Sequence, residues 1–217
     1  MGRSIFILPI VMLSASCSFV GVRSGLEQPH YEVVEVLSKS LEIRRYGSRL
    51  AIETTVPGGD TSKSRRRAFR RLFNYISGAN APGRKITMTA PVETALGASG
   101  SGVKVAMTAP VETAASKNHT LMRFFLPSGL STETAPRPTD PQVRVVTVPE
   151  QTLAALSFTG LASEGRLATQ KNRLTADLAS THWEAQGTVT AYYYDPPWTL
   201  PFMRRNEVVV VVVSGKK

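Results

Sequence analysis

The sequence predicts an α+β fold in which a unit of strands, helix and strands occurs twice. From Tyr31 onward, short runs alternate apolar and polar residues, the period of a half-buried strand. Two longer segments, near residues 70 and 170, place apolar residues at helical spacing instead. A chain of 217 residues with 42% apolar side chains can bury one good core, so residues 31–213 are read as one domain and 214–217 as a tail.

Residues 1–16 have the pattern of an export signal, with Arg3 before an apolar run from Ile5 to Leu13 and then Ser14, Ala15 and Ser16. The run of about nine residues is well short of the ~20 needed to span a bilayer. Cys17 follows and is the chain's single cysteine, which excludes an intrachain disulfide. A lone cysteine in that place resembles a bacterial lipobox, whose thiol receives diacylglycerol, although Leu13 stands four residues before it rather than three. An ordinary secretory peptide with an incidental cysteine is the other reading. If Cys17 is lipidated, residues 17–30 form a flexible tether and the protein is anchored in the periplasm or at the outer membrane. Ser18, where inner-membrane retention is associated with aspartate, leans to the outer membrane.

The first strands are Tyr31–Leu37, Leu41–Arg45 and Leu50–Val56, with Gly47 and Pro57-Gly58-Gly59 as breakers. Asp60 or Thr61 can cap a helix through about Ser77, where Ala68, Phe69, Leu72, Phe73 and Ile76 share a face and Gly78 follows the end. Lys85–Thr94 (KITMTAPVET) and Lys104–Thr113 (KVAMTAPVET) are near copies offset by 19 residues, which suits a strand pair folding back on itself. Pro91 and Pro110 lack an N–H and belong at a strand end, edge or bulge. Leu121–Leu126 is the next strand, followed by a proline-rich loop from Ala135 to Pro141. Gln142–Val148 and Thr152–Thr159 make a further pair. Gly160–Ala185 supplies a second helix, with Leu167, Leu174 and Leu178 at helical spacing. Thr188–Tyr194 and Glu207–Val213 close the chain as strands, and the valines from Val208 suit burial on both faces.

The formal net charge of +10 favours anionic partners, with phosphate, carboxylate and acidic lipid headgroups all qualifying. Nucleic acid is disfavoured, because zinc-finger spacing, a basic zipper and an aromatic RNA-binding signature are all missing. So are G-x-S-x-G, H-E-x-x-H and the phosphate-binding G-x-x-x-x-G-K-S/T, and the chain does not read as a conventional enzyme. His30, His119 and His182 are scattered singly, in the lead-in, a polar loop and the end of the second helix, and each suits a structural or exposed role better than metal ligation. Met88 and Met107 suit core packing. No metal ligand is assigned.

The first helix carries the candidate binding surface. At 100° per residue with Phe69 at zero, Phe73 falls at about 40°, Arg66 at about 60° and Arg70 at about 100°. A planar apolar ligand with acid groups wants aromatic surface beside guanidinium donors. The same pattern also fits a core stripe bordered by solvated arginines.

LEIRRYG at Leu41–Gly47, FNYISGAN at Phe73–Asn80, the two MTAPVET segments, YYYDPPW at Tyr192–Trp198 and RRNEVVV at Arg204–Val210 together resemble the SOUL/haem-binding-protein family. The doubled M-T-A-P-V and the closing D-P-P and R-R-N-E-V look most like bacterial members. The resemblance implies a distorted antiparallel β-barrel of two pseudo-symmetric strand-helix-strand halves with two helices packed outside. It also implies reversible, non-covalent binding of haem or a related tetrapyrrole, for buffering, carriage or delivery. In the family a hydrophobic groove beside the first helix holds the macrocycle and basic residues meet its propionates; the position matching one such arginine is Arg66. Some relatives carry a histidine, proposed as axial ligand, where this sequence has Arg45, so iron ligation from that position is excluded and haem would be held without it. The rival readings are a non-haem small-molecule effector-binding or partner-binding domain and an enzyme acting on tetrapyrroles.

Overall fold

A computed structural model describes residues 26–58, 62–86, 88–96, 119–195 and 199–215. The export segment, Cys17, the candidate caps Asp60 and Thr61, and the second repeat at 104–113 lie outside the described residues.

In chain order the elements are β1 (Tyr31–Val36), β2 (Leu41–Tyr46), β3 (Arg49–Pro57), α1 (Ser62–Ile76), β4 (Asn80–Ala81), β5 (Val92–Leu96), β6 (His119–Phe125), β7 (Arg137–Pro138), β8 (Val143–Val148), β9 (Gln151–Thr159), α2 (Glu164–Ala179), β10 (Trp183–Tyr193) and β11 (Arg205–Ser214). Nine of the strands form one antiparallel sheet in the order β1-β2-β9-β11-β10-β5-β6-β3-β8, curled into a half-barrel, and β4 pairs with β7 apart from it. The expected α+β fold of two related halves is present. β3 leads through α1 to the pair β5–β6, whose second strand returns to β3. β9 leads through α2 to the pair β10–β11, whose second strand returns to β9. The halves join where β5 meets β10, through Thr94–Ala191, Glu93–Tyr192 and Val92–Tyr193.

Strand alternation separates the two faces of this sheet. On one face α1 turns Ala68, Leu72, Tyr75 and Ile76 onto Ile52, Val56, Met122 and Phe124. α2 likewise sets Leu167, Leu174 and Leu178 against Leu156, Val208, Val210 and Val212. The inner face holds Tyr46, Ala51, Phe125, Tyr192, Tyr194 and Val209. It also holds Glu207, which is 0% exposed. That carboxylate accepts from Arg44 Nη1 at 3.0 Å, Arg205 Nη2 at 2.6 Å, the Tyr194 hydroxyl at 2.5 Å and the Ser157 hydroxyl at 3.0 Å. Burial alone would raise its pKa, but the Arg44 and Arg205 guanidiniums hold it below the usual carboxylate range.

Several boundaries differ from the sequence reading. Lys85–Thr94 is a strand only from Val92, because the Ala90 N–H is taken by the Glu27 carbonyl, the Thr89 hydroxyl by the Phe125 carbonyl, and Pro91 has no donor. Val92–Thr94 is paired with β10 on one edge and β6 on the other. The second helix is shorter than Gly160–Ala185: Ser163 caps it by accepting from the Arg166 N–H, and the chain turns at Thr181, whose N–H bonds the Leu178 carbonyl. Trp183–Ala185 therefore opens β10, and His182 lies in the turn rather than in the helix. His119 opens β6 instead of lying in a loop, and the proline-rich segment contributes β7.

Glu207→Ala leaves Arg44 as a buried charge without its main partner, and urea denaturation of the full chain should show a loss of about 3–5 kcal/mol. Because the native carboxyl titrates below its unfolded value, its contribution is complete above that value, about 4.3, and is lost as pH falls through the native one. The acid-induced fall in urea midpoint should be smaller in the variant.

Candidate functional site

α1 forms where Ala68, Leu72 and Ile76 recur at helical spacing, and burying that stripe fixes what the helix turns outward. Lys63, Arg66, Arg67 and Arg70 are exposed. The first turn contains no acidic residue, so cations crowd the positive end of the helix macrodipole at three- and four-residue spacings. Such like-charge arrangements each cost a few tenths of a kcal/mol, about what opposite charges would gain, and an anionic ligand would relieve them.

The aromatic pair occupies the border between core and solvent. Phe69 is half-buried, with its ring 5.3 Å from that of Phe124 on β6. Phe73 stacks on Phe69 at 5.8 Å with 15° between the planes, and is itself 45% exposed. One ring is thus anchored in the core and holds the other at the surface. Of the four residues predicted for the site, the structure brings Phe69 and Phe73 into contact and leaves Arg66 and Arg70 exposed on the same helix, without an ion pair to any described residue. Arg71, one residue further, is instead turned to β3, where it donates to Thr54 Oγ1 and the Thr55 carbonyl at 3.4 Å.

Sequence reasoning missed Tyr193. It lies on the strand that joins the halves and packs against both the α1 and the α2 clusters. Ile86 and Met88 pack against the same cluster as Phe69, the core role expected of Met88. No local signal marks Tyr193, since its position follows from the β5–β10 pairing.

Among the described residues no group of three His, Cys, Asp or Glu side chains could hold a metal ion. His182 lies 3.9 Å from Glu35 and its ring 4.8 Å from Trp183. Arg45 pairs with Glu32 at 3.1 Å. The aromatic and guanidinium side chains of α1 do fit a planar ring that bears acid groups.

The architecture defines a pseudo-twofold α+β half-barrel with one helix per half. Residues 26–211 match the SOUL heme-binding protein family, and the chain belongs to that family. It is 26% identical over 205 residues to heme-binding protein 2 of Mus musculus, an alignment covering 88% of this chain and 91% of that one. It is 31% identical over 177 residues to heme-binding protein 2 of Homo sapiens, covering 79% and 78%. Among solved structures, the C-terminal domain of EcmrR superposes with a TM-score of 0.57 at 12% identity, covering 85% of this chain and 98% of that one. An uncharacterized conserved protein from Listeria innocua gives a TM-score of 0.57 at 10% identity, covering 81% and 93%. At those identities the likeness is one of fold alone.

The two rings have different duties, which stability measurements separate. Phe73→Ala should stay within about 1 kcal/mol of the native chain in urea unfolding, as expected for an exposed side chain. Phe69→Ala empties the contact with Phe124 and should cost about 2 kcal/mol or more. The reverse order would make Phe73 a core residue.

Proposed function

We propose that this protein binds haem or a related tetrapyrrole non-covalently on the outer side of α1, and that it buffers, carries or delivers this ligand rather than converting it. The observation that carries the reading is the stacked Phe69–Phe73 pair, one ring anchored and one exposed, on a helix whose outward side is cationic. Phe69 and Phe73 would contact the macrocycle, and Arg66 and Arg70 would take the propionates through charge-assisted hydrogen bonds. The family description and the names of the mammalian relatives support the same ligand class. Haem would bring its iron, for which this reading assigns no protein axial ligand, so iron-free porphyrin should bind about as well.

The same proposal includes the N-terminus. Residues 1–16 act as an export signal, Cys17 accepts lipid, and the part of 17–30 that precedes the contacts of Leu26 and Glu27 with the fold tethers the binding domain within a bacterial cell envelope. The support is the Arg3, apolar run and small-residue pattern that ends on the single cysteine.

Absorbance titration of the full chain should give saturable changes with both haem and iron-free protoporphyrin. Two charge-assisted hydrogen bonds are worth about 1.5–3 kcal/mol each, so the Arg66→Ala/Arg70→Ala double variant should bind at least about tenfold more weakly. No saturable change with either ligand would leave the non-haem effector reading. For the anchor, Cys17→Ser should abolish fatty-acid labelling in cells and shift the protein from the membrane to the soluble fraction; labelling that persists would count against lipidation at Cys17.

A further inference from the structure

We infer that the face formed by the outward side of α1 and by the segment folded back behind its C-terminal end docks on an anionic phospholipid surface. The chain does not spread its charge evenly. Residues 62–86 hold eight Lys and Arg and no Asp or Glu, so this stretch supplies most of the formal net charge of +10 and the rest of the chain is close to neutral.

Packing decides where those charges point. α1 lies along β3 and β6 with Ala68, Leu72, Tyr75 and Ile76 turned inward. Arg66, Arg70, Lys63 and Arg67 then fall on the opposite side, at about 60°, 100°, 120° and 160° from Phe69. All four are exposed. Beyond Ile76 the chain folds back, since the Ile76 carbonyl accepts from the Ile86 N–H at 2.8 Å and Asn80 Oδ1 accepts from the Arg84 N–H at 2.8 Å. Arg84 and Lys85 are thereby exposed behind the helix's C-terminal end, where the negative pole favours cations. Arg137, also exposed, is brought to that end by the pairing of β7 with β4. The 15 residues of α1 span about 22 Å, and successive cations on it lie about a turn apart, within the screening length of about 8–10 Å, so their fields add.

Carboxylates do not break up this strip. Glu207 meets Arg44 and Arg205, Glu53 meets Arg123 and Arg144, and Glu32 meets Arg45, all away from α1. Asp140, near Arg137, spends one oxygen on the Gln142 N–H at 2.8 Å. The shape suits a plane of headgroups better than nucleic acid. α1 presents the outside of a helix laid flat on a sheet, not a channel that tracks a strand, and its C-terminal end is covered by the returning chain. Clustered cations of this kind are drawn to anionic lipid, and Phe73, 45% exposed at the edge of the strip, suits the boundary between headgroups and acyl chains. Arg66 and Arg70 belong also to the edge proposed for the porphyrin; Lys63, Arg67, Arg84 and Lys85 do not.

Cosedimentation of the full chain with vesicles tests the face, using phosphatidylcholine alone against phosphatidylcholine with about 30% phosphatidylglycerol. The apolar run from Ile5 to Leu13 meets both vesicles, so the difference between them reads the charge. The anionic vesicles should bind at least about tenfold more tightly, and that advantage should vanish at about 0.5 M NaCl. Lys63→Glu/Arg67→Glu should weaken anionic binding at least about tenfold. Lys39→Glu/Arg173→Glu, beside α2 and with the same change in net charge, should leave it within about twofold. Arg84→Glu/Lys85→Glu should repeat the loss and covers the case in which the α1 variant fails to fold. Porphyrin is absent throughout, so failure of the tetrapyrrole reading is distinguishable from failure of this one. Equal binding to the two vesicles, or an equal loss in the α2-side variant, would overturn the assignment. So would a random-sequence DNA duplex that binds the chain while anionic vesicles bind no better than neutral ones, which would give the face to nucleic acid.

Discussion

The carboxylate of Glu207 collects donors from four parts of the sheet: Arg44 from β2, Ser157 from β9, Arg205 from β11 and Tyr194 just beyond β10. A lone ionised carboxylate in such surroundings would take up a proton or unfold its site. Here the dependence is mutual, since Arg44 is also buried and has Glu207 as its principal countercharge. Breaking either partner leaves the other stranded, which is why buried pairs cost far more to break than their net stabilisation suggests. The other half has a counterpart in Glu53, buried between Arg123 and Arg144 at 2.9 Å, with Arg123 also 3.5 Å from Glu93.

These two groups belong to one row. Strand register places Arg144, Glu53, Arg123, Glu93, Tyr192, Glu207 and Ser157 side by side across seven consecutive strands. Tyr192, at the join between the halves, is neutral in this row, since burial and the nearby Glu93 charge push its phenol well up. A slip of one residue in any of these strands would move its polar side chain onto the helix-facing side. The row therefore fixes register, and the opposite face is left apolar for α1 and α2. The ligand surface proposed on α1 depends on this indirectly: Phe69 has a core to anchor in because Phe124, and not Arg123, faces the helix.

What could be read from the sequence divides along the same line between local and distant causes. α1 was legible because Ala68, Leu72 and Ile76 carry their own period and Gly78 closes the helix. The pairing of Phe69 with Phe73 follows from their spacing of four, but which ring is anchored in the core is decided by Phe124, far from Phe69 in the sequence. The end of α2 was misjudged because the turn at Thr181 interrupts a segment whose composition still looks helical. The first MTAPVET copy misled more seriously. Its alternation is real, yet Thr89 and Ala90 spend their hydrogen bonds on Phe125 and Glu27, and its strand sits between β10 and β6. Strand order of that kind depends on partners far away in the chain.

The motifs that carried the family resemblance turn out to converge on the frame. Arg44 comes from LEIRRYG, Tyr194 from YYYDPPW, and Arg205 and Glu207 from RRNEVVV; all meet at one carboxylate. Asp195 of the same YYYDPPW stretch accepts from the Arg205 N–H at 2.6 Å. In FNYISGAN the Tyr75 hydroxyl donates to the Pro136 carbonyl, and Asn80 closes the end of α1 through the Tyr75 and Arg84 carbonyls. Residues with these duties specify how the sheet is assembled and say little about what it binds. Phe73 stands apart from them. It opens FNYISGAN, yet it projects nearly half its surface into solvent, where an aromatic ring adds little to the frame. A large apolar ring held outward by a half-buried neighbour, on a helix that crowds cations on its exposed side, is the feature on which the proposed ligand contact rests.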